Sequence, residues 1–423
     1  MVKLKIKHFG PIVDGFTEND GFMNISRVTL ICGNQATGKS TIAKLFSTLT
    51  WLEKAVFRND YDEESISNKD FFVNFLKNQR IHEYLQPESE IIYIGKVHTF
   101  FYRNDNFTVS TNSETVSTYI RPKIMYIPAE RNLLSTIEDV GKTNNLPVML
   151  SILLDRYHSA QRKLAVDTYF LPVSGIKIKF DNSKNSTSVI SSNSKEIDIS
   201  NSSSGIQSVT PLSLVSDYLS QIVTEDIFDN VQKLSAADRD KIKQDILRFE
   251  NKVLSDKLLK ELNMYFLAGS KQGISEENVP LMRALLLYYF NQCFINIVEE
   301  PEQNLYPKSL NLVLYKLLEF MNRNANNQLF ITTHSPYIIS CLTLCVKAYE
   351  LKEKGVDLNR LNEIVPIKSL VSGESLSIYE TTEDGKIELL KPYENLPSDD
   401  NLLNKLLAEP NEIFAKLLEL EDE

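Results

Sequence analysis

Eight residues, "GNQATGKS" at positions 33–40, have the types and spacing that phosphate chemistry requires. They match the pattern G-x-x-x-x-G-K-[ST] in full, in which the glycines let backbone N–H groups turn inward around phosphate oxygens. A helix that begins here would add the positive end of its dipole. Lys39 would reach the β- and γ-phosphates, and the Ser40 hydroxyl would bind Mg²⁺. This segment, called the P-loop below, predicts a site for a nucleoside triphosphate.

The P-loop needs a strand before it and a helix after it, and the sequence contains both patterns. "VTLIC" (28–32) is a β-branched apolar run of the buried-strand type. From Ser40 onward, apolar residues recur with the spacing of one helix face. A glycine-rich turn that only caps a helix is the structural alternative. The residues expected to contact the nucleoside triphosphate are Gly33, Asn34, Gln35, Ala36, Thr37, Gly38, Lys39, Ser40 and Thr41.

Carboxylates follow a second apolar run, "FINIV" (294–298), which predicts another buried strand. Carboxylates are rarely buried unless a cation or hydrogen-bond donors meet them, although an ordinary solvated corner is the alternative here. Beside a P-loop, such a strand end completes the coordination of Mg²⁺. We expect Glu299 to hold the metal directly or through water, and Glu300, on the other side of the strand end, to position and activate the attacking water. Glu302 is assigned to the turn and to a dimer contact.

A histidine ends a third apolar run, in "LFITTHSP" (329–336). A single histidine in a loop is usually structural or simply exposed. At the end of a strand in a P-loop protein, however, we expect His334 to sense the γ-phosphate and to stabilise charge in the transition state.

Composition limits the classes of function. There are 46 Lys and Arg residues against 56 Asp and Glu residues, a net charge of −10, which disfavours a nucleic-acid-binding surface over the whole protein but leaves a local basic groove open. The four cysteines form no C-x-x-C pair and are expected to be reduced core residues, as in cytosolic proteins. No signal peptide and no uninterrupted apolar span are visible, so we expect a cytoplasmic protein with no membrane partner.

Strands alternate with helices along most of the chain, which favours an α/β fold with a largely parallel sheet. "IIYIGKVHTFFY" (91–102) and "FTVST" (107–111) predict antiparallel strands, and "KIMYIP" (123–128) predicts another buried strand. Between residues 176 and 204, two strand-like segments flank a tract rich in Ser and Asn, which we interpret as a hairpin with a long polar tip.

Taken in order, the P-loop, "EEPEQNLYP" (299–307) and "THSP" (333–336) resemble motifs of the ABC-type ATPases of the SMC, RecF and OLD group. "FGPI" (9–12) is similar to the opening of that group. In the group's acidic segment a His usually stands where Tyr306 stands here, and its first acid, often Asp, is Glu299 here. The resemblance implies an α/β fold, an ABC-type P-loop ATPase head with a mostly parallel sheet, an antiparallel β subdomain and helical insertions.

The resemblance also identifies a candidate signature segment, "NSSSGIQSVTPL" (201–212). By the family pattern, Ser204, Gly205 and Gln207 would reach across a dimer to the γ-phosphate of ATP on the partner copy. A Ser-Gly turn that opens a helix is a second anion-binding N-terminus, although a flexible linker is the structural alternative. In "YIPAERN" (126–132), near where a Q-loop leaves the sheet, Glu130 and Arg131 would face the nucleotide.

The head is assigned to residues 1–350, with a helical lobe at about 52–90 and a helical insertion at about 217–284. Residues 351–423 are assigned to a C-terminal strand pair and an acidic helical tail. The chain shows neither the heptad-rich arm of an SMC tether nor an acid-rich Toprim-like domain after His334.

Three functions remain as hypotheses. The first is a Mg²⁺-dependent ATP hydrolase that dimerises around ATP, with higher oligomers left open, and acts as a sensor and switch for a separate effector protein, expected to be a nuclease. Stand-alone ATPases of this type resemble subunits of antiphage defence systems such as PARIS and Septu. The second is a RecF-like ATPase of DNA repair or recombination, for which the Lys- and Arg-bearing helices of 232–261 are the candidate DNA contact. The third, the nucleotide-binding subunit of a transporter, lacks the usual transporter signature.

Overall fold

The structure is a computed structural model. It describes residues 1–61, 63–112, 114–115, 118–136, 146–165, 167–173, 175–191, 193, 195–250, 255–268, 273–287 and 289–421.

Sixteen strands belong to three sheets within these ranges. They are β1 (Val2–Phe9), β2 (Gly15–Phe16), β3 (Met23–Ile25), β4 (Val28–Gly33), β5 (Leu85–Ile94), β6 (His98–Arg103), β7 (Asn106–Thr111), β8 (Pro122–Ile127), β9 (Tyr169–Phe170), β10 (Lys177–Asp181), β11 (Ser186–Ile190), β12 (Glu196–Asp198), β13 (Cys293–Glu299), β14 (Gln328–Thr333), β15 (Leu376–Thr381) and β16 (Lys386–Leu389).

Helices connect and cover these sheets. Those in the described ranges are α1 (Lys39–Phe57), α2 (Glu63–Ile66), α3 (Lys69–Asn78), α4 (Leu133–Thr136), α5 (Val148–Leu164), α6 (Ser204–Ile222), α7 (Ile227–Gln232), α8 (Ala236–Glu250), α9 (Asp256–Ala268), α10 (Val279–Leu287), α11 (Pro307–Asn322), α12 (Pro336–Glu353), α13 (Leu358–Ile364) and α14 (Leu402–Glu421). Among the described residues, no helix is both long and apolar enough to cross a membrane.

The largest sheet has the strand order β2-β16-β15-β4-β14-β13-β8. Its five strands from β15 to β8 are parallel, and every residue of β4 and β13 is buried. Strands covered on both faces need continuous apolar runs, which is why "VTLIC" and "FINIV" form them. The predicted α/β fold with a mostly parallel sheet is confirmed.

The antiparallel subdomain has the order β3-β1-β5-β6-β7 and packs over α1. The buried carboxylate of Glu53 on α1 holds the β5–β6 turn, where it accepts hydrogen bonds from the backbone N–H of Val97 (2.7 Å) and from the Tyr93 hydroxyl (2.9 Å). The helix that follows the P-loop is therefore fixed to this sheet. Strand β5 begins at Leu85, six residues before the strand predicted from Ile91, so part of the predicted helical lobe 52–90 is strand.

The predicted hairpin with a long polar tip is wrong. Strand β11 runs through the Ser- and Asn-rich tract, and the four-stranded sheet β12-β11-β10-β9 results. Alternate residues of β11, Thr187 and Val189, are buried, so the period-two pattern of burial outweighs the loop-like composition.

Helices α7 to α10 occupy most of the predicted helical insertion 217–284 and share a separate apolar core around Phe228, Leu262 and Met282. Residues 251–254 and 269–272 of that insertion lie outside the described residues. The predicted C-terminal strand pair is β15 and β16, and β15 lies parallel to β4, directly beside the strand that ends in the P-loop. These two strands are part of the main sheet and do not form a unit of their own.

Candidate active site

The P-loop leaves β4 and enters α1 through backbone conformations that glycine allows. Gly33 has a φ of 142° and Gly38 a φ of 101°, and Ala36 between them has a φ of 61°. A Cβ atom on Gly33 would lie 2.4 Å from the carbonyl oxygen of Thr381 on β15. The segment therefore closes tightly on its own sheet and presents its backbone at the N-terminus of α1, as an anion-binding turn does.

Lys39 is held inside this turn. Its ammonium donates a hydrogen bond to the carbonyl of Asn34, and the residue is almost fully buried. Burial lowers the pKa of Lys39 to about 8, opposed mainly by the nearby carboxylate of Glu300. A phosphate in the turn would give this ammonium the anionic partner that its burial calls for.

The topology brings the three predicted chemical elements together. Because β4, β14 and β13 are neighbouring parallel strands, their carboxyl ends meet at one edge of the sheet, where ligands bind in open α/β folds. The imidazole of His334, just after β14, spans this edge: Nδ1 lies 3.2 Å from the carbonyl oxygen of Gly33, and Nε2 lies 2.9 Å from Oε1 of Glu300. Both oxygens can only accept, so each of these ring nitrogens must act as a donor when both bonds are made.

Glu299 is the last residue of β13 and is 5 % exposed. Its Oε2 accepts a weak hydrogen bond from the backbone N–H of Ala129 (3.3 Å), whereas its buried Oε1 has no hydrogen-bond partner among the described residues. A buried carboxylate oxygen left in this way requires a cation or a donor. The buried Tyr126 hydroxyl is one donor nearby, since burial and then the Glu299 carboxylate raise its pKa. The donor set fits Mg²⁺, which takes oxygen ligands from one or two protein groups and from substrate phosphates.

Glu300 differs from Glu299 in backbone and in exposure. Its φ of 43° is unusual for a residue with a side chain, and its N–H donates to the carbonyl of Thr332 (2.9 Å). This turn directs the side chain towards His334 and Lys39 and leaves it partly exposed. The hydrogen bond from His334 lowers the pKa of Glu300, so the group is a carboxylate at neutral pH and is able to accept a proton from water.

Glu302 stabilises the neighbouring turn. Its Oε1 accepts hydrogen bonds from the Thr333 hydroxyl (2.6 Å) and from the backbone N–H of His334 (2.8 Å). Burial raises the pKa of this carboxyl. These contacts agree with the assignment of Glu302 to turn chemistry, and they fix the backbone from which His334 projects.

The prediction that Arg131 faces the nucleotide is wrong. Its guanidinium is fully buried beneath the strand end and donates to the carbonyls of Glu299 (2.7 Å) and Glu300 (2.7 Å). It also donates to the carbonyls of Pro128 and Ser208, both at 3.2 Å. Burial lowers the pKa of Arg131 to about 10. Because the carbonyls at the end of β13 have no further strand to bond, a buried fork of donors satisfies them.

The signature segment forms the start of α6, with Ser203 as its N-cap. Ser204 is exposed in the first turn, and Gly205 lies so close to the loop after β13 that an added Cβ would be 2.6 Å from the carbonyl oxygen of Asn304. Gln207 is buried instead, and its amide donates to the carbonyls of Ser200 (2.9 Å) and Ser202 (3.2 Å). Its side chain is used within its own chain to hold the turn before α6.

Two contacts to the P-loop come from residues that had no motif to reveal them. The Thr381 hydroxyl lies 2.6 Å from that of Thr37, and the Glu383 carboxylate accepts a hydrogen bond from the Asn34 side chain (2.9 Å). Both residues lie at or just after the end of β15, whose place beside β4 depends on sheet topology and not on any local pattern. A strand ending in a Thr-rich turn was the only available signal.

Comparison with known proteins supports the ATPase interpretation for part of the chain. Residues 280–339, which contain β13 and β14, match the family model described as "AAA ATPase domain". This part of the chain is therefore similar to an AAA-type ATPase domain, in agreement with the ATPase resemblance predicted from its motifs. Among curated proteins, none matches this sequence.

Two solved structures of SMC heads are similar over nearly the whole chain. One is the SMC head domain from Thermotoga maritima, with 9 % sequence identity and a TM-score of 0.37, covering 92 % of this chain and 98 % of that one. The other is an SMC head bound to the C-winged helix domain of ScpA, with 11 % identity and a TM-score of 0.38, covering 93 % and 98 %. At these values neither likeness carries a functional conclusion.

Proposed function

We propose that the chain hydrolyses ATP with Mg²⁺ at the edge formed by β4, β14 and β13, and that two copies enclose each nucleotide. The observation that carries the proposal is the convergence of Lys39, Glu299, Glu300 and His334, residues from three segments far apart in sequence, around one anion-binding turn. Such a constellation, with its nucleophile-activating carboxylate beside its phosphate cradle, is that of a phosphoryl-transfer site.

In this mechanism the P-loop amides and Lys39 bind the triphosphate, with the remaining residues Gly33 to Thr41 shaping the turn. Bound Mg²⁺, held by Ser40 and Glu299, would neutralise charge on the phosphates. Glu300 orients a water molecule towards the γ-phosphorus and accepts its proton as the bond to the leaving ADP oxygen breaks. His334, which contacts both the Gly33 carbonyl and Glu300, couples the state of the P-loop to the position of this base.

The decisive experiment is Glu300→Gln, assayed for ATP turnover and for mass in the presence of ATP. Turnover is expected to fall at least 100-fold, since the amide cannot accept a proton, and an ATP-bound dimer should accumulate. Thr41→Ser, a change in the same site that keeps the hydroxyl, is the control and should retain turnover. Normal hydrolysis by Glu300→Gln would show that another group activates the water.

The exposed first turn of α6 supports the two-copy arrangement. Ser204 and Gly205 present a helix N-terminus that carries no lysine of its own, and such a turn can bind the γ-phosphate held by a second copy. We infer that Ser204 and Gly205 act in trans, whereas Gln207 supports them by holding the preceding turn.

We further propose that the ATP-closed dimer holds or releases a separate effector, a nuclease, in antiphage defence. The support is the resemblance of the motif order to stand-alone ATPase subunits of such systems. Co-expression with a nuclease gene adjacent on the chromosome tests this: ATP-dependent co-purification and growth arrest on phage infection are expected. Nuclease activity of the purified chain alone would contradict a separate effector.

The RecF-like alternative depends on a basic DNA-binding surface. Helix α8, its main candidate, carries Arg239, Lys241, Lys243 and Arg248 but also Asp238, Asp240, Asp245 and Glu250, so its charges cancel. Tight duplex-DNA binding that weakens steeply with salt would nevertheless favour this alternative over the effector switch.

A further inference from the structure

The C-terminal helix α14 leaves an apolar face uncovered. Its first turn is attached to the body, where Leu403 is buried and the backbone N–H of Leu402 donates to the Glu380 carboxylate (2.8 Å). Beyond this turn, seven large apolar side chains are 43–65 % exposed: Leu406, Leu407, Ile413, Phe414, Leu417, Leu418 and Leu420. Monomeric proteins rarely leave a contiguous patch of this kind in water, so the face is expected to be an interface.

The spacing on α14 is that of a helix pair. At 100° per residue, the apolar side chains share one side of the helix, and the charged side chains of residues 405–419 lie on the other. Along the apolar side, Leu406, Pro410, Ile413, Leu417 and Leu420 recur at alternating steps of four and three residues. This seven-residue repeat is the seam of two helices packed side by side.

We propose that α14 pairs in an antiparallel orientation with α14 of a second copy of this chain, through an interface separate from the ATP site. In this antiparallel pair, Leu406 of one copy faces Leu417 of the second copy, and Pro410 faces Ile413. The symmetric arrangement repeats each contact twice, as a two-fold interface requires. Because Leu403 is buried in its own body, the contact centres on residues 406–417, about 18 Å of helix.

The edges of the helix select this orientation. In the antiparallel register Glu409 of each copy lies opposite Lys416 of the other, and Leu407 lies opposite Phe414. A parallel pair would instead place Glu409 against Phe414, which desolvates a carboxylate without a partner. Antiparallel helices also place opposite ends of their dipoles together.

The charges on the polar side disfavour an anionic membrane as the occupant of the face. Lys405 and Lys416 are outnumbered there by Glu409, Glu412 and Glu419, whereas helices that lie on anionic lipid are rich in Lys and Arg. A contact of this length is smaller than a standard interface, so a micromolar dissociation constant is expected.

Sedimentation of the nucleotide-free full chain with chelator present, over a range of concentrations, tests the proposal. The wild type should form a concentration-dependent dimer. Leu417→Lys should weaken this dimer at least 100-fold, since it places a charge in the seam. Ala415→Lys, an equal change of charge on the polar side, should leave the dimer unchanged. All these side chains are exposed, so folding is expected to persist, as unchanged thermal melting would verify.

A charge-reversal cycle tests the orientation. Glu409→Lys and Lys416→Glu should each weaken the nucleotide-free dimer about fivefold by opposing like charges, and the double variant should return to wild-type affinity. A wild type that stays monomeric, or a dimer that Leu417→Lys leaves intact, would overturn the pairing. A double variant no better than the singles would overturn the antiparallel register. The ATP sandwich is judged separately, because Glu300→Gln with Leu417→Lys should still dimerise when ATP is added.

Discussion

Two helices of this molecule, α1 and α6, begin at a glycine-containing turn suited to anions, but they need the glycine for different reasons. Gly38, before α1, has a φ of 101°, a conformation that residues with a side chain rarely adopt. Gly205, in the first turn of α6, has no such φ; instead the carbonyl oxygen of Asn304 approaches its Cα so closely that a Cβ would be 2.6 Å away. The first glycine shapes the turn itself, and the second lets a helix lie against the loop after β13.

The two turns also differ in charge. The α1 turn contains the buried ammonium of Lys39, so it can bind phosphate within a single chain. The α6 turn offers Ser203, Ser204 and a helix dipole without a lysine. A helix N-terminus alone binds anions weakly, so under the proposed function α6 acts on a phosphate that a second copy already holds. The α1 turn should therefore be tested by measuring ATP binding, and the α6 turn by measuring the association of two copies.

The largest effect is expected at the α1 turn. Lys39→Ala should weaken ATP binding at least 1,000-fold, because under the proposed function it removes the cation that binds the β- and γ-phosphates. Ser204→Arg, which blocks the exposed α6 turn, should leave the affinity for ATP within about twofold of wild type but prevent the ATP-dependent dimer. Isothermal titration with a non-hydrolysable ATP analogue, followed by sedimentation with the same analogue, measures both.

The comparison of Lys39→Ala with Ser204→Arg tests whether the two turns act on the nucleotide of the same chain. If Ser204→Arg also lost ATP binding, α6 would act on the nucleotide of its own chain, and the distinction between the turns would fail. Asn193→Arg, which adds the same cation at another exposed position, serves as the control and should leave both ATP binding and the dimer unchanged.

The next effect is expected where α6 meets the end of β13. Arg131 donates both to the carbonyl of Ser208 on α6 and to the carbonyls of Glu299 and Glu300. Arg131→Met should lower the free energy of unfolding by about 3 kcal/mol, because buried carbonyls lose their donors. Chemical denaturation measures this change.

Arg131→Lys keeps the positive charge and tests whether the guanidinium fork is needed for catalysis. A single ammonium cannot reproduce the fork that holds the φ of 43° at Glu300, so kcat should fall more than tenfold while the KM for ATP stays within about threefold. A variant as stable as wild type and equally active would show that the strand end holds Glu300 without the guanidinium.

A smaller effect is expected at Gly205. Gly205→Ala should cost about 1–2 kcal/mol, because the new Cβ pushes α6 away from the Asn304 carbonyl. The ATP-dependent dimer should weaken along with stability, since the turn moves. Gly273→Ala is the matched control: its Cβ would meet only the Met264 side chain at 3.6 Å, an ordinary contact, so stability should be unchanged or slightly raised. Equal stability of the two variants would mean that the loop after β13 yields freely.

The sequence predicted the P-loop and the ends of β13 and β14 because these are local patterns in which a buried strand runs directly into polar residues. It did not predict Arg131 beneath Glu299 and Glu300, because a buried arginine that bonds only to carbonyls has no local partner to mark it. The inward turn of Gln207 was hidden for the same reason, since its acceptors are backbone groups. The place of β15 beside β4 follows from a crossover of more than 300 residues, which no local periodicity encodes. The chemical roles assigned to the P-loop and to the ends of β13 and β14 stay predictions.

The smallest effect is expected from Glu302, which supports the β14 turn away from both helix termini. Its pKa is raised by burial above the ordinary 4.5, so the folded protein keeps a proton that the unfolded chain has released. Stability from this group is therefore fully present below pH 4.5 and declines as the pH rises through the folded pKa. Glu302→Gln keeps an oxygen for Thr333 and His334 but cannot titrate. The free energy of unfolding of this variant, relative to wild type, should therefore rise as the pH is raised above 4.5. An opposite slope would mean that the hydrogen bonds to Glu302 outweigh its burial.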